Sequence, residues 1–380
     1  MTSLNIFLIF VYSALTATFC FFLWKSKRAN PAFWFMLSQW IISVGTLFVL
    51  DLDKRVEFFY ASLFFIAIIF FGSAVLIMHA ALNIDIKSDS FFGKDVQEDV
   101  VSSRQTLVLM FLVSFLVTAF YYKVVGYNLF LDALLGREIL DFQSARLAAY
   151  SGEEYYAPGF VNQFKNAILP LSIYIFSAWM YFFGNRTVFV FSLVVSIPIL
   201  LYALLGTGQR APMVYSFVAL LFGVSLISKL SIIRVVLVGF ALTMLFGVAA
   251  VLNGRMDDFT VLNAIAQLAT RIFVSDQQES ILAFKYIYSI DSAWFSEWID
   301  GVLGLLPTHS GSYLPHQIYS FIHGTDRGTA GITTVASVYH NGGVLLVPVF
   351  YFLLGIVYTL IYNRLLLGRR TIMRCLSYGA

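Results

Sequence analysis

Residues 187–228 open with TVFVFSLVVSIPILLYALL (Thr187–Leu205), continue through GTGQR (Gly206–Arg210) and close with APMVYSFVALLFGVSLIS (Ala211–Ser228). The first run has 19 residues and no charge, and the second has 18 and no charge. As a helix, each is long enough to cross a hydrocarbon core of ~30 Å. Five residues between them leave room for a turn and little else. The stretch therefore predicts a transmembrane helical hairpin with one full positive charge, Arg210, at its tip.

The rest of the chain extends this reading. Its 380 residues are 59% hydrophobic, 17% aromatic and 12% charged. A soluble domain averages roughly 25% charged residues, so a water-facing surface cannot be built from this composition. Apolar runs predict nine spans, at about 4–24, 32–50, 58–80, 106–125, 166–183, 187–205, 211–228, 235–252 and 343–362. The expected fold class is an all-α polytopic membrane protein of about nine transmembrane helices or more, with residues 1–380 as one integral membrane domain. The run from Leu4 to Trp24 lacks a basic n-region and reads as a retained helix.

The same composition narrows function. The net charge is +3, and no basic patch with interleaved aromatics lies outside the spans, so nucleic acid is not an expected partner. Cys20 and Cys375 cannot make a disulfide framework, and no Cys or His spacing fits a zinc site. No metal and no cofactor is expected. His79 sits at the end of the third run, and no Asp or Glu lies inside any run. Ion-coupled carriers place such groups near the midplane, which argues against a secondary transporter.

Orientation follows from Lys and Arg in short connectors. Lys25, Lys27, Arg28, Arg186, Lys229, Arg234 and the tail arginines from Arg364 to Arg374 share one side if the N-terminus is outside. Two long segments, 126–165 and 253–330, then face the extracytoplasmic side. Both carry helical patterns, Leu129–Tyr150 and Val261–Ile290, the latter read as amphipathic helices on the membrane surface. Arg210 also falls outside, on the side that usually lacks arginine. Gly206 and Gly208 permit a sharp turn and Pro212 suits the first turn of the next helix. The guanidinium and the helix start together make an anion site suited to phosphate.

On these residues a family resemblance appears. The LLGTGQRAPM turn (Leu204–Met213) resembles the Gly-Ser-Arg-like turn between spans in Wzy-type polymerases, which join polyprenyl-linked oligosaccharide repeats into O-antigen or exopolysaccharide. Gly331–Gly355, GITTVASVYHNGGVLLVPVFYFLLG, is similar to that family's Thr-rich stretch leading to a Tyr-x-Asn-x-Gly turn, here Tyr339, Asn341 and Gly343. The chain has Ser337 where a Glu often stands two residues before the tyrosine, and Gly342 where an aromatic is often found.

The resemblance implies a GT-C-like fold and a metal-independent membrane glycosyltransferase. The implied donor and acceptor are undecaprenyl-pyrophosphate-linked oligosaccharides at the periplasmic face of a bacterial inner membrane. The bilayer is the second partner, and a polysaccharide chain-length regulator is a further candidate partner. Such chemistry needs arginines for the pyrophosphate leaving group, for which Arg210, Arg271 and Arg146 are the candidates. Arg271 has Asp276 and Glu279 nearby as structural partners. The acceptor hydroxyl needs a base; His309, His316, His323 and His340 cluster late in the chain, and His316 and His309, each next to a proline or one residue from it, lead. Tyr339 and Asn341 are expected in substrate binding.

Three rival readings remain. An O-antigen ligase has the same parts and a different acceptor. The Asp51-Leu-Asp-Lys-Arg55 turn offers an Asp-x-Asp pair that a metal-dependent lipid-phosphate-sugar glycosyltransferase would use, against an interfacial ion cluster. A non-enzymatic flippase or exporter of lipid-linked glycan would need polar groups along a path inside the spans.

Overall fold

A computed structural model describes residues 2–24, 30–99, 101–135, 159–207, 211–228, 260–304, 311–325, 328 and 330–379. The span expected at 235–252, most of the helical stretch expected at 129–150, and Arg146, Arg210 and His309 lie outside the described residues. Among the described residues the fold is all helix, with seven helices long and apolar enough to cross a membrane. They run Ser3–Phe22 (α1), Pro31–Val49 (α2), Arg55–Ala81 (α3), Val101–Val125 within which the span is 103–125, Val161–Phe183, Arg186–Leu205 and Thr334–Leu366. The run expected to span at 211–228 is a helix of 17 residues, Ala211–Ile227. The chain divides into two compact units.

The first unit takes residues 1–93, 266–303 and 309–368. Thr2 caps α1, and the side chain of Asn5 caps in return. Buried Asn5 also donates Nδ2 to the carbonyls of Leu47 at 2.7 Å and Leu50 at 2.9 Å. Those groups end α2 without intrahelical partners, so one amide joins the start of α1 to the end of α2. α3 and the long C-terminal helix Thr334–Leu366 run parallel. Tyr60 and Thr333 share a hydroxyl hydrogen bond of 2.7 Å at one end, and Lys87, in the short helix Ile84–Phe92 that follows α3, donates Nζ to Asn363 Oδ1 at 2.8 Å at the other. Between them, a Cβ on Gly355 would lie 2.8 Å from the Phe71 carbonyl oxygen, so the two backbones approach only because that residue is glycine.

The core of this unit is aromatic: Tyr12, Tyr60, Phe64, Phe71, Phe284 and Tyr351 are all buried. Phe284 comes from the helix Asp276–Ser289 and stacks on Tyr60 at 4.2 Å. With Ala283 and Ile287 it packs one face of this helix against the core, the apolar side that an amphipathic pattern predicts. Its Lys285 reaches Glu57 Oε1 at 2.6 Å, and Glu57 Oε2 accepts from the Asp51 backbone at 2.6 Å. These partners let α3 begin three residues before its apolar run and bury a carboxylate in its first turn.

The second unit takes residues 94–265, 304–308 and 369–380. Here Tyr122 donates to the Ala203 carbonyl at 2.7 Å, and Asn128 Nδ2 to the Tyr202 carbonyl at 3.1 Å. These bonds hold the end of helix Val101–Val125 beside the end of helix Arg186–Leu205. Tyr174 and Ser216 share a hydrogen bond of 2.6 Å that joins helices Val161–Phe183 and Ala211–Ile227. The end of the latter helix is closed by buried Arg370, which donates to the carbonyls of Leu226 at 3.0 Å and Ile227 at 2.8 Å. A cation on the last carbonyls also complements the helix dipole.

Candidate functional site

The site grows from a break in the C-terminal helix of the first unit. Thr333 caps its start, accepting from Ala336 N. At Gly343 the backbone turns to φ 67°, ψ −165°, a conformation open in practice to glycine alone. The break frees carbonyls just before it. Those of His340 and Asn341 accept instead from the backbone N–H groups of Ala293 at 2.8 Å and Phe295 at 3.0 Å. Ser292 Oγ adds a second bond to the His340 carbonyl at 3.0 Å. The docked turn is itself strained, with Trp294 and Phe295 both at positive φ.

This docking brings the helix Ser296–Leu303 against the break. Asn341, fully buried, is the joint. Its Nδ2 donates to Glu297 Oε2 at 2.8 Å and to the Ser337 carbonyl at 3.0 Å, and its Oδ1 accepts from Trp298 N at 3.4 Å. Trp298 Nε1 donates to Ser337 Oγ at 2.8 Å, and its ring packs on Phe350 at 5.4 Å. The Glu297 carboxylate thus sits in the first turn of its helix, where the dipole favours negative charge. Among the described residues the side chain that fixes it is a neutral amide.

Glu297 and Trp298 line an open groove of about 450 Å³. Its other walls include Pro315, Thr334, Ser337 and Phe350. The surface combines a half-buried carboxylate, an indole face, two hydroxyls and apolar backing. Such a mixture suits a sugar, whose hydroxyls need acceptors and whose C–H faces stack on aromatic rings.

The expected site residues fall around this groove unequally. Asn341 positions Glu297 and does not line the groove. Tyr339 packs in an aromatic cluster with Phe59, Phe284 and Tyr288. His316 lies on the helix Leu314–His323, next to groove residue Pro315, its ring over Tyr313 at 5.7 Å. His323 is exposed against Tyr319. His340 is buried, and its Nδ1 has no hydrogen-bond partner among the described residues. Arg271 pairs with Asp276 through Nε at 3.2 Å, both side chains partly exposed, and it opens a single π-helical turn, Arg271–Ser275. Of the two acids expected as its partner, Asp276 is the one engaged.

Asp51 of the Asp-x-Asp pair is held by Lys54 at 2.9 Å, and that ammonium keeps its carboxyl below the usual range. No group of three metal-ligating side chains occurs among the described residues.

Glu297 is the residue the sequence did not single out. Its context, FSEWID, reads as an ordinary acidic helix start. The one available signal was the serine at 337. Asn341 Nδ2 bonds both the Ser337 carbonyl and Glu297, so a carboxylate reaches the neighbourhood of position 337 from a different segment. Comparison with protein-family models, with curated proteins and with solved structures found no match for the chain.

Proposed function

We propose that the chain is a membrane glycosyltransferase of the Wzy type. It would polymerise undecaprenyl-pyrophosphate-linked oligosaccharide repeats into O-antigen or exopolysaccharide at the periplasmic face of a bacterial inner membrane. The observation that carries this reading is the Asn341–Glu297 contact at the helix break, in the stretch that bears the resemblance. The Tyr-x-Asn-x-Gly pattern here does local work: Gly343 breaks the helix, and Asn341 sets a carboxylate at the mouth of a groove.

In this reading the acceptor sugar lies on Trp298 with one hydroxyl facing Glu297. The hydroxyl oxygen attacks the anomeric carbon of the donor, and its proton passes to Glu297. The bond from that carbon to the pyrophosphate oxygen breaks, and the pyrophosphate leaves with the electron pair. Arg210 is the residue proposed to meet the developing charge, with Arg146 as a second cation. Glu297 takes the base role that the sequence gave to His316 or His309, because it lines the groove. Arg271, engaged by Asp276, ranks behind the other arginines. A ligase would use the same groove, and its product would be glycan on lipid A core.

The test is glycan profiling of a strain lacking the chain. Single repeats on the lipid carrier, and a ladder restored by the wild-type chain, are expected. A normal ladder in the deletion strain would overturn the reading.

A further inference from the structure

The second unit holds a cavity of its own, of about 590 Å³. It runs between three apolar helices, Val161–Phe183, Arg186–Leu205 and Ala211–Ile227. Its lining reaches from Phe189 to Leu204 on the second helix and from Met213 to Ile227 on the third. At 1.5 Å per residue these stretches are about 21–23 Å long, most of the ~30 Å thickness of a hydrocarbon core. Spread over that length, the volume gives a mean bore of about 6 Å, against about 10 Å for a helix with its side chains. The cavity therefore admits one extended hydrocarbon chain and is too narrow for a helix. Its walls are almost wholly apolar, which favours hydrocarbon over water. Tyr181, Phe182 and Ile197 line it and stay exposed, so it opens sideways, toward the lipid around the helices.

One end of this cavity carries a positive charge. Tyr181 and Phe189, both in its lining, meet edge-on at 5.3 Å beside the short turn Gly184–Asn185. Asn185 caps the second helix by accepting from Thr187 N at 2.9 Å, and exposed Arg186 is that helix's first residue. Residues three apart share a helix face, so Arg186 stands on the face of Phe189, one turn beyond the end of the lining. No acid lies in that first turn, and the helix start adds the positive end of its dipole. Exposed Tyr181 is the residue type that settles at the level of lipid headgroups.

We propose that this cavity and Arg186 bind one anionic phospholipid of the bilayer. An acyl chain lies in the bore, and the phosphate meets the guanidinium and the helix start. The cavity and the charge lie along one axis in the order that such a lipid requires, chain within the span and anion at its end. A zwitterionic phospholipid offers the same chain without the net charge, so the cavity accepts both and Arg186 sets the preference. On the orientation that the Lys and Arg residues imply, Arg186 faces the cytoplasmic leaflet. The site is then on the side away from the proposed glycan chemistry and stands whether or not that chemistry does.

The full chain, delipidated in a nonionic detergent, is titrated with phosphatidylglycerol, with phosphatidylcholine of the same acyl chains, and with glycerophosphate as the headgroup alone. Thermal unfolding reads affinity, and native mass spectrometry counts the lipids retained. Wild type is expected to bind phosphatidylglycerol about fivefold more tightly than phosphatidylcholine, to retain one such lipid, and to ignore glycerophosphate. Arg186→Gln is expected to abolish the preference and leave phosphatidylcholine binding as it was. Leu193→Trp, which fills the bore, is expected to abolish retention of both lipids. Equal affinity for the two lipids in wild type, or an unchanged preference in Arg186→Gln, overturns the proposal. So does a response to glycerophosphate as strong as that to the whole lipid, or lipid still retained by folded Leu193→Trp. Arg186 is exposed, so Arg186→Gln carries the decision if Leu193→Trp does not fold.

Discussion

Asn341 Nδ2 and Glu297 Oε2 lie 2.8 Å apart across 44 residues of sequence, and that bond joins a broken membrane helix to the segment that supplies the groove carboxylate. Removing the amide leaves Glu297 and the Trp298 N–H without their buried partner. Asn341→Ala is expected to cost about 1–3 kcal/mol and to reduce polymer formation strongly. Asn341→Asp is expected to be worse, because it sets a second carboxylate against Glu297. Unfolding temperature and glycan ladder length together check this; a wild-type ladder from Asn341→Asp would contradict it.

Gly343 holds a conformation closed to residues with a Cβ. Gly343→Ala is expected to cost about 1–3 kcal/mol and to disturb the docked turn Ala293–Phe295. Thermal unfolding of the purified variant measures it, and a change within error of zero would show that the break is not strained.

Glu57 is only 5% exposed and is met by Lys285 at 2.6 Å. Lys285→Met leaves that carboxylate with the Asp51 N–H and a distant Lys54. Because Lys285 itself is partly exposed, the expected loss is about 1–3 kcal/mol, below that of a fully buried pair. Glu57→Gln with Lys285→Met should recover most of the loss in a double-mutant cycle.

Gly355 lies against the Phe71 carbonyl, with Ala74 beside it. Gly355→Leu is expected to separate the two parallel helices and to lower the yield of folded protein in the membrane. Gly331→Ala, where an added Cβ meets nothing within 4 Å, serves as the control.

Seven of the nine expected spans were legible because lipid demands long apolar helices, and that demand is written locally. The run at 187–205 appears as the helix Arg186–Leu205, and that at 58–80 as Arg55–Ala81. The errors lie at span ends, where polar groups enter the fold through distant partners. Glu57 enters α3 because Lys285 meets it from a helix far along the chain. Lys165 is drawn into a span by Asn166 and Tyr121. The site was legible in outline only. The sequence pointed to Asn341 and Gly343, yet not to what they hold, because nothing local in FSEWID distinguishes Glu297 from any surface acid. Tyr339 reads as a ligand from its motif and stands partly buried against the core, where Phe59, Phe284 and Tyr288 come to it from two other helices.

The central claim is that Glu297 is the groove carboxylate that accepts the acceptor's proton. Glu297→Gln preserves size and the hydrogen bond to Asn341 and removes the base. The deciding measurement is the glycan profile of a deletion strain complemented with this variant, at membrane levels matched to wild type. Collapse of the ladder to single repeats that still reach the outer face is the predicted result. A ladder of wild-type length would contradict it.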